Sequence, residues 1–552
     1  MSKLPTLFIP LTVFALACGS DGGGGAVDTG SDPDTGANGT TAATDGATGV
    51  VDDTGLTTGD PEPADVPARG AIAISLVEAN AGVAVPIGAN GEWVGPEGRN
   101  APLPKGRNTA VRVYIDVDEA TWVQRDIEAR LHIHLPDGTI ETLSETVTIS
   151  GDSSTASLQS GYLFGVLAEW MIPGVRYQVE LFKAGTGWED LPEAEAPPAT
   201  PSSPDFLGVE DTELEMRVVV VPVAYSGPGC TSTVDQTAEV LQPYEDAMFQ
   251  QNPLERLDIV WDDPFTVDNL DLSDPNDFFT LLSVAQQYRA SQQPAPNVYY
   301  YFLFDNCGAC IGNGGGCLLG VAPGLSDASM AAASLRVAIG TRFLGGSEVG
   351  IETFVHEIGH TQGRAHIACP GASAAGPDPS YPHESGQIGV WGFGVRDFGV
   401  RNATTHTDYM SYCNPTWVSD WQWSATFNRV ATLTSWDAAS VGMPDDAAVL
   451  AGAVNLETGE AQWWTDRGGI SNPTEGHTMQ FLAGEEAIEI ADVQIDHWSE
   501  GPMISVRAPL PADYDAAVTG IQYLAPSRSF AVPRAAITSY HRADDITSPG
   551  ER

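Results

Sequence analysis

Residues 355–366 read VHEIGHTQGRAH, with two histidines four residues apart on either side of Ile358 and Gly359. That spacing places His356 and His360 on one face of a helix, one turn apart, so both imidazoles can bind a single ion. Glu357 lies next to this face and can reach a metal-bound water without itself binding the metal. The stretch therefore predicts a helix that carries two metal ligands and an acid–base residue.

The second half of this stretch predicts where the helix ends and where a third ligand returns. Glycine tolerates the left-handed backbone conformation that ends many helices, so Gly363 marks the turn. His366, three residues later, can then fold back toward the same ion. Three protein ligands leave the fourth position of a zinc ion open, which is typical of a catalytic site and not of a closed structural one.

The full pattern H-E-x-x-H-x-x-G-x-x-H resembles the metzincin metallopeptidases. Their other hallmark is a methionine-containing turn beneath the zinc, and DYMSYC at residues 408–413 matches it, with Met410 lying 44 residues after His366. The resemblance implies one catalytic Zn²⁺ on the three histidines, the glutamate as general base in peptide hydrolysis, and Met410 as an apolar floor under the imidazoles.

Tyr412 stands two residues after Met410. Astacin-like and serralysin-like metzincins have a tyrosine at this place that binds zinc or stabilises the transition-state oxyanion, so the resemblance implies a catalytic role. A packed tyrosine beside Cys413 fits the sequence equally well, and the subfamily stays open.

The resemblance also implies how a substrate binds. In these peptidases an edge strand of the sheet before the active-site helix pairs with an extended peptide, and residues 316–321 are the candidate edge here. Residues 415–417, just after the methionine turn, would line the pocket for a substrate side chain.

Six cysteines follow Cys18, and an even number in an exported protein predicts three disulfides. Cys369 lies three residues after His366 and Cys413 three after Met410, so if both segments meet at the metal, these two cysteines should be bonded. The pairing of the other four stays open, as does a structural zinc site built from them; they are Cys230, Cys307, Cys310 and Cys317.

The charge of the chain limits its partners. Lys and Arg number 25 against 73 Asp and Glu, a net charge of −48, which repels phosphate backbones and excludes nucleic-acid binding. Hydrophobic residues make up 42%, enough to build folded cores. We expect a protein or peptide substrate; the oligomeric state stays open.

The N-terminus predicts export. Lys3 precedes an uncharged stretch at residues 4–17, which suits a signal peptide and is too short to span a bilayer. Cys18 follows ALA, as in a bacterial lipoprotein, so we expect residues 1–18 to be a signal peptide with lipidation at Cys18 as the only membrane anchor. Secretion without a lipid is the alternative.

Composition and periodicity then divide the chain. Residues 19–69 are rich in Gly, Asp and Thr and predict a disordered tether. Alternating apolar residues across 70–190 predict a β-sandwich, and 191–213 a Pro-rich linker. Strands and helices alternate through 214–436, which predicts a catalytic domain with a mixed, mostly parallel sheet and the active-site helix. Residues 437–552 read as a small β domain with a loose tail.

An acidic cluster offers oxygen ligands for Ca²⁺, although its spacing matches no known calcium loop and a solvated loop is the alternative. Its members are Asp262, Asp263, Asp268, Asp271, Asp274 and Asp277.

The rival to a peptidase is a cell-surface binding or adhesion lipoprotein whose metal site is vestigial.

Overall fold

The computed structural model describes residues 65–540 except 187, 189, 190, 313–316, 343–346, 439–447 and 527. The predicted signal peptide, the lipidation at Cys18, most of the predicted tether and the tail after 540 lie outside these residues. Within them, no helix combines the length and the apolar character needed to cross a bilayer. The described residues form a β-rich protein of several sheets with few helices.

Two antiparallel sheets make up the N-terminal part. In the strand Arg125–His134, residues 127, 129, 131 and 133 are fully buried while the residues between them are partly exposed. This alternation is the period of a strand with one face in a core. The strand orders are β3-β2-β1-β4-β7 and β6-β5-β8-β9. The strands are β1 (Ile72–Asn80), β2 (Ala84–Ala89), β3 (Glu92–Trp93), β4 (Thr109–Val117), β5 (Arg125–His134), β6 (Ile140–Ile149), β7 (Tyr162–Val166), β8 (Arg176–Lys183) and β9 (Ala199–Phe206).

The last of these strands lies where we expected a linker. Residues 191–213 include β9, which pairs antiparallel with β8 and forms an edge of its sheet. Proline lacks a backbone N–H and is tolerated on edge strands, so Pro201 and Pro204 fit this place. A Pro-rich composition does not distinguish a free linker from an edge strand.

A seven-stranded sheet forms the centre. Strands β12, β13 and β14 run parallel to β10, and β16 runs parallel to β14. Only β11 and β15 pair antiparallel, and β15 forms the edge beyond β16. Its elements are β10 (Glu215–Gly227), β11 (Cys230–Thr233), α1 (Ala238–Gln251), β12 (Arg256–Trp261), β13 (Phe265–Val267), α2 (Pro275–Gln292), β14 (Val298–Phe304), β15 (Gly320–Val321), β16 (Val337–Thr341) and α3 (Ser347–Thr361).

Helix α3 packs beneath this sheet through its apolar face. Phe354, Val355 and Ile358 are buried, and the Phe354 ring meets those of Tyr244 on α1 and Tyr301 on β14 edge-on, at 5.5 and 4.7 Å between centroids. The polar face of the helix is thereby fixed in orientation.

Two short ladders and a helix follow α3. Strands β19 and β20 pair in parallel and enclose the DYMSYC turn between them. The elements are β17 (Gly392–Phe393), β18 (Val400–Arg401), β19 (Thr407–Asp408), β20 (Thr416–Trp417) and α4 (Asp420–Ala438).

The C-terminal part contains two further sheets, ordered β25-β26-β21-β22-β29 and β24-β23-β27-β28. Trp464 and Trp498 of this part share an apolar core with Phe279 of α2, so the C-terminal strands pack against the central sheet. The elements are β21 (Ala448–Asn455), β22 (Ala461–Arg467), β23 (Thr478–Ala483), β24 (Glu486–Asp492), β25 (Gln494–His497), β26 (Met503–Pro509), α5 (Tyr514–Ala517), β27 (Gly520–Ala525), β28 (Arg528–Pro533) and β29 (Ile537–Ser539).

Candidate metal centre

Three histidine side chains converge at the end of α3. The Nε2 atom of His360 lies 3.1 Å from Nε2 of His356 and 3.1 Å from Nε2 of His366. Zinc binds imidazole nitrogen at about 2.0–2.1 Å, so two ligands in tetrahedral geometry are about 3.3 Å apart. The observed spacing therefore matches ligands around one ion.

Backbone carbonyls fix the orientation of all three rings. The Nδ1 atoms of His356, His360 and His366 lie 2.8, 2.7 and 2.7 Å from the carbonyl oxygens of Tyr409, Arg364 and Ala375. A carbonyl oxygen only accepts, so each Nδ1 carries the hydrogen and each Nε2 presents a lone pair to the centre. Hydrogen bonds of this kind set the tautomer of metal-binding histidines.

The electrostatics of the triad favour a cation. Burial lowers the pKa of His356 to about 3, with the nearby His366 as a second cause, and burial together with both neighbours holds the pKa of His360 well below its ordinary value. Neutral rings are what a metal ion requires of its ligands. Three lone pairs facing one another in a buried site repel unless a cation lies between them, so the donor set fits a metal.

The turn after α3 delivers the third ligand. Gly363 has φ of +80°, its N–H donates to the carbonyl of His360 at 2.8 Å, and the N–H of Arg364 donates to that of Gly359 at 3.0 Å. These two bonds form a Schellman motif, which requires a left-handed residue at the glycine position. The sequence prediction of Gly363 as the helix end agrees with this geometry.

A buried arginine from α4 holds this helix end in place. Arg429 donates to the Thr361 carbonyl at 2.9 Å and to the Ser326 carbonyl at 2.6 Å. A cation at a helix C-terminus stabilises the carbonyls that the helix leaves without partners.

We expect Gly363→Ala to lower the free energy of unfolding by about 3 kcal/mol. The left-handed conformation costs a non-glycine residue about 1–2 kcal/mol, and the added Cβ would lie 2.6 Å from the Ser326 carbonyl oxygen. Gly371 is the matched control, because its φ is +86° and open space surrounds it. Urea unfolding of both variants measures the difference; equal losses would contradict a steric role for Gly363.

Glu357 lies beside the triad in a buried setting. It is 4% exposed, its side chain lies against Gly320 of the edge strand β15, and its Oε2 accepts a weak hydrogen bond from Ser499 Oγ at 3.5 Å. Burial raises the pKa of Glu357 well above its ordinary value, and the charge of Glu500 adds to the rise. The carboxyl is therefore biased toward taking up a proton.

The methionine turn packs against α3 at Gly359. Met410 is fully buried, and a Cβ on Gly359 would lie 2.5 Å from the Met410 sulfur, so only glycine permits this approach. The Ile367 N–H donates to the Met410 carbonyl at 2.9 Å, which ties the turn to the segment that carries His366. The turn and the triad therefore form one packed unit.

The cysteines form three disulfides. Cys369 and Cys413 are bonded, joining the segment after His366 to the methionine turn, as we expected. The open pairings resolve into Cys230–Cys307 and Cys310–Cys317, so the alternative of a four-thiolate zinc site is wrong. Disulfides are typical of proteins outside the cytoplasm, in an extracellular or periplasmic compartment.

Tyr412 reaches the triad with its hydroxyl. Its oxygen lies 2.8 Å from His366 Nε2, and its hydroxyl donates to Glu500 Oε1. Burial and the charge of Glu500 raise the pKa of Tyr412, which keeps the phenol protonated. This contact is compatible with the catalytic role that the resemblance implies, and that role stays a prediction.

The predicted substrate edge at 316–321 lies beside the candidate site, whereas a residue of the predicted pocket segment at 415–417 is buried in the core. The described part of 316–321 includes β15, which is the sheet edge next to Glu357. Trp417 is 3% exposed and its indole donates to the Gly82 carbonyl at 2.9 Å, so it packs in the core and does not line a pocket.

Members of the acidic cluster form hydrogen bonds to the backbone in the turn that leads into α2. Asp274 caps α2 by accepting from two backbone N–H groups, and Asp277 accepts from the Asp271 N–H at 2.7 Å. Across the residues that the structure describes, only the histidine triad brings three ligand atoms within 4.8 Å of one another. The described members of the acidic cluster therefore do not bring three carboxylate oxygens within that distance, which agrees with the alternative of a solvated loop.

Comparisons with known proteins do not place the chain in a family. No family model and no curated protein matches it. Among solved structures, a calcium-binding mutant of Bacteroides uniformis beta-glucuronidase 2 matches with a TM-score of 0.11 and 11% identity, over 42% of this chain and 27% of that one. This likeness is too weak to carry an argument about fold or function.

Two residues at the site, Ser499 and Glu500, were not predicted from the sequence. Both come from the C-terminal part and lie beside Glu357 and Tyr412. Glu500 follows His366 by 134 positions, and residues 498–502 have no motif that would mark them.

Proposed function

We propose that this protein is an exported, zinc-dependent endopeptidase of the metzincin type. One observation carries the proposal: three buried imidazoles converge through Nε2, and a buried carboxyl lies on the helix that carries two of them. A purely structural zinc site needs four protein ligands and has no use for this carboxyl. The buried methionine turn against α3 is further support.

His356, His360 and His366 would hold the ion. When bound, zinc supplies a water whose pKa is near 7 and polarises the carbonyl of the scissile bond. The carbonyl acceptors of the three Nδ1–H groups keep the ligand nitrogens in place.

Glu357 acts as the general base and then as the general acid. It takes the proton of the attacking water on its carboxylate and passes that proton to the leaving amine. A glutamate with a raised pKa is suited to both steps near neutral pH. Tyr412, whose hydroxyl is already at the triad, donates to the oxyanion that forms from the substrate carbonyl.

The edge strand β15 provides a place for the substrate. An extended peptide that pairs with it would pass directly beside Glu357, since Gly320 contacts that side chain. Main-chain pairing of this kind binds many sequences, so we expect a protein or peptide substrate. We further propose that the protein acts outside the cytoplasm, with a lipid on Cys18 as its anchor.

Casein digestion with and without a metal chelator tests the proposal. We expect the chelator to abolish cleavage and added Zn²⁺ to restore it, because the reaction needs the ion on the triad. The rival, a surface binding protein with a vestigial site, predicts that casein stays intact under every condition, with or without added Zn²⁺. Metal analysis of the same samples separates these outcomes.

A further inference from the structure

A cavity of about 460 Å³ opens between the two C-terminal sheets, and none of the residues at the metal centre lines it. Ile495 of β25 and Ile504 of β26 contribute to it from one sheet, and Tyr523 of β27 and Phe530 of β28 from the other. Pockets that bind small molecules measure about 300–1,000 Å³. At about 30 Å³ for each water-sized group, this cavity has room for about a dozen non-hydrogen atoms.

Aromatic rings form an apolar wall of this cavity. Tyr523 and Phe530 pair across β27 and β28, and their rings are nearly parallel, with 5.9 Å between centroids and 12° between planes. The ring of His477 also stacks on that of Tyr523, at 5.9 Å and 24°. Aromatic rings stack favourably on other flat apolar groups. The wall therefore favours a ligand with an aromatic body.

The charge of the lining is opposite to that of the chain. Within the described residues, the charged and titratable side chains that line the cavity are Arg528, His477 and His497, without an aspartate or glutamate. In the whole chain, acidic residues outnumber basic ones by 73 to 25. Over the same described residues, the Arg528 guanidinium has no hydrogen-bond or ion-pair partner, whereas Arg534 pairs with Asp515 at 3.0 Å. The cavity therefore complements an anion.

Hydrogen bonds hold the polar side of the cavity in place. His477 Nδ1 lies 2.6 Å from the hydroxyl oxygen of Tyr523, and the His477 N–H donates to the Thr474 carbonyl at 3.2 Å. Thr474 Oγ1 in turn accepts from the Ile495 N–H of β25 at 3.0 Å. His477 Nε2, by contrast, has no partner in the part of the chain that the structure describes. A site that is ordered before a ligand arrives loses less entropy on binding.

We propose that this cavity binds an arylalkyl carboxylate, with the aromatic body against Tyr523 and Phe530 and the carboxylate on Arg528. A guanidinium suits this role, because it can donate two parallel hydrogen bonds to one carboxylate. His477 Nε2 is a second polar contact for the ligand. The site is separate from the triad, so it does not depend on the proposed peptidase function.

Three compounds with one apolar body test the charge that the cavity prefers. They are phenylbutyrate, the neutral phenylbutyramide and the cationic phenylbutylamine, each titrated into the full chain and followed by saturation-transfer NMR. We expect phenylbutyrate to bind about five- to tenfold more tightly than the amide, through its contact with arginine. The amine should bind most weakly, although the net charge of −48 attracts cations. Equal affinity of acid and amide, or no binding of the acid, overturns the proposal.

The Arg528→Gln variant tests which residue meets the carboxylate. It should bind phenylbutyrate and phenylbutyramide equally, because the charged contact is gone while the apolar wall is intact. Arg534→Gln is the matched control, since it makes the same change of charge in the same C-terminal part and does not line the cavity. It should keep the preference for the acid. A preference that survives in Arg528→Gln overturns the assignment, and circular dichroism should show both variants folded.

The Phe530→Ala variant tests the place of the aromatic body. It should weaken binding of the acid and the amide by the same factor, because both share the phenyl group. Unchanged affinity for both compounds contradicts a body that lies against this wall.

A free acid and the carboxyl terminus of a peptide share the proposed chemistry, and acetylphenylalanine distinguishes them. Tighter binding of acetylphenylalanine than of phenylbutyrate supports a site for peptide termini, and weaker binding supports a site for free acids. If neither compound binds, the cavity is not a carboxylate site.

Discussion

Casein cleavage by the Glu357→Gln variant is expected to fall by about 10²–10⁴-fold or more, while its metal content stays that of the wild type. Glutamine has the shape of glutamate and its oxygen can accept the weak hydrogen bond from Ser499, so the site keeps its form. The amide cannot take up the proton of the attacking water. The loss therefore measures proton transfer alone.

A control on the same helix excludes a general effect of removing charge. Glu352 also lies on α3, is half-buried, and accepts a hydrogen bond from Thr416 Oγ1 at 3.3 Å. Glu352→Gln should cleave casein at close to the wild-type rate. If Glu357→Gln is as active as this control, Glu357 is not the base and the mechanism is wrong.

The His360→Ala variant should lose the metal. His360 is the central ligand, since its Nε2 lies 3.1 Å from each of the other two, and it is 1% exposed. We expect the affinity for Zn²⁺ to fall by more than the 10–100-fold typical of outer-shell changes. Metal analysis and direct titration with Zn²⁺ measure this loss.

Thermal unfolding gives a second measure that does not depend on activity. A ligand that binds only the folded state stabilises it, by about 2.7 kcal/mol at 100 times its Kd. Added Zn²⁺ should therefore raise the Tm of the wild type and leave that of His360→Ala unchanged. His406→Ala, which alters a histidine in the segment between His366 and Met410, should respond as the wild type does. A zinc-dependent rise in His360→Ala would contradict the triad as the metal site.

The prediction was most successful where the information is local. Within 355–366 the helical period sets the positions of His356 and His360. The Schellman turn at Gly363 reverses the chain, so that His366, three residues later, reaches the same site. These features depend on backbone geometry that neighbouring residues impose on one another. Eleven consecutive residues thus define the three nitrogen ligands.

Prediction was weaker where a pattern has two physical solutions. The Pro-rich segment 191–213 was interpreted as a linker, yet β9 pairs with β8 at a sheet edge, where proline is equally acceptable. Trp417 was expected near the substrate and is instead buried, because its indole finds a backbone acceptor at Gly82. Each case depended on a partner distant in the sequence.

The amino-acid sequence by itself determined the triad, the carboxyl beside it and the turn that ends α3. The pairing of Cys369 with Cys413 was predicted only on the condition that their segments meet at the metal. Only the tertiary structure decided that Tyr412 faces His366, that β15 contacts Glu357, and that Glu500 enters the site from the C-terminal strands. Helix period and turn conformation act over a few residues and can be read from spacing. The approach of residues 498–502 to the triad follows from the packing of two sheets around a shared core, and no local pattern encodes that contact.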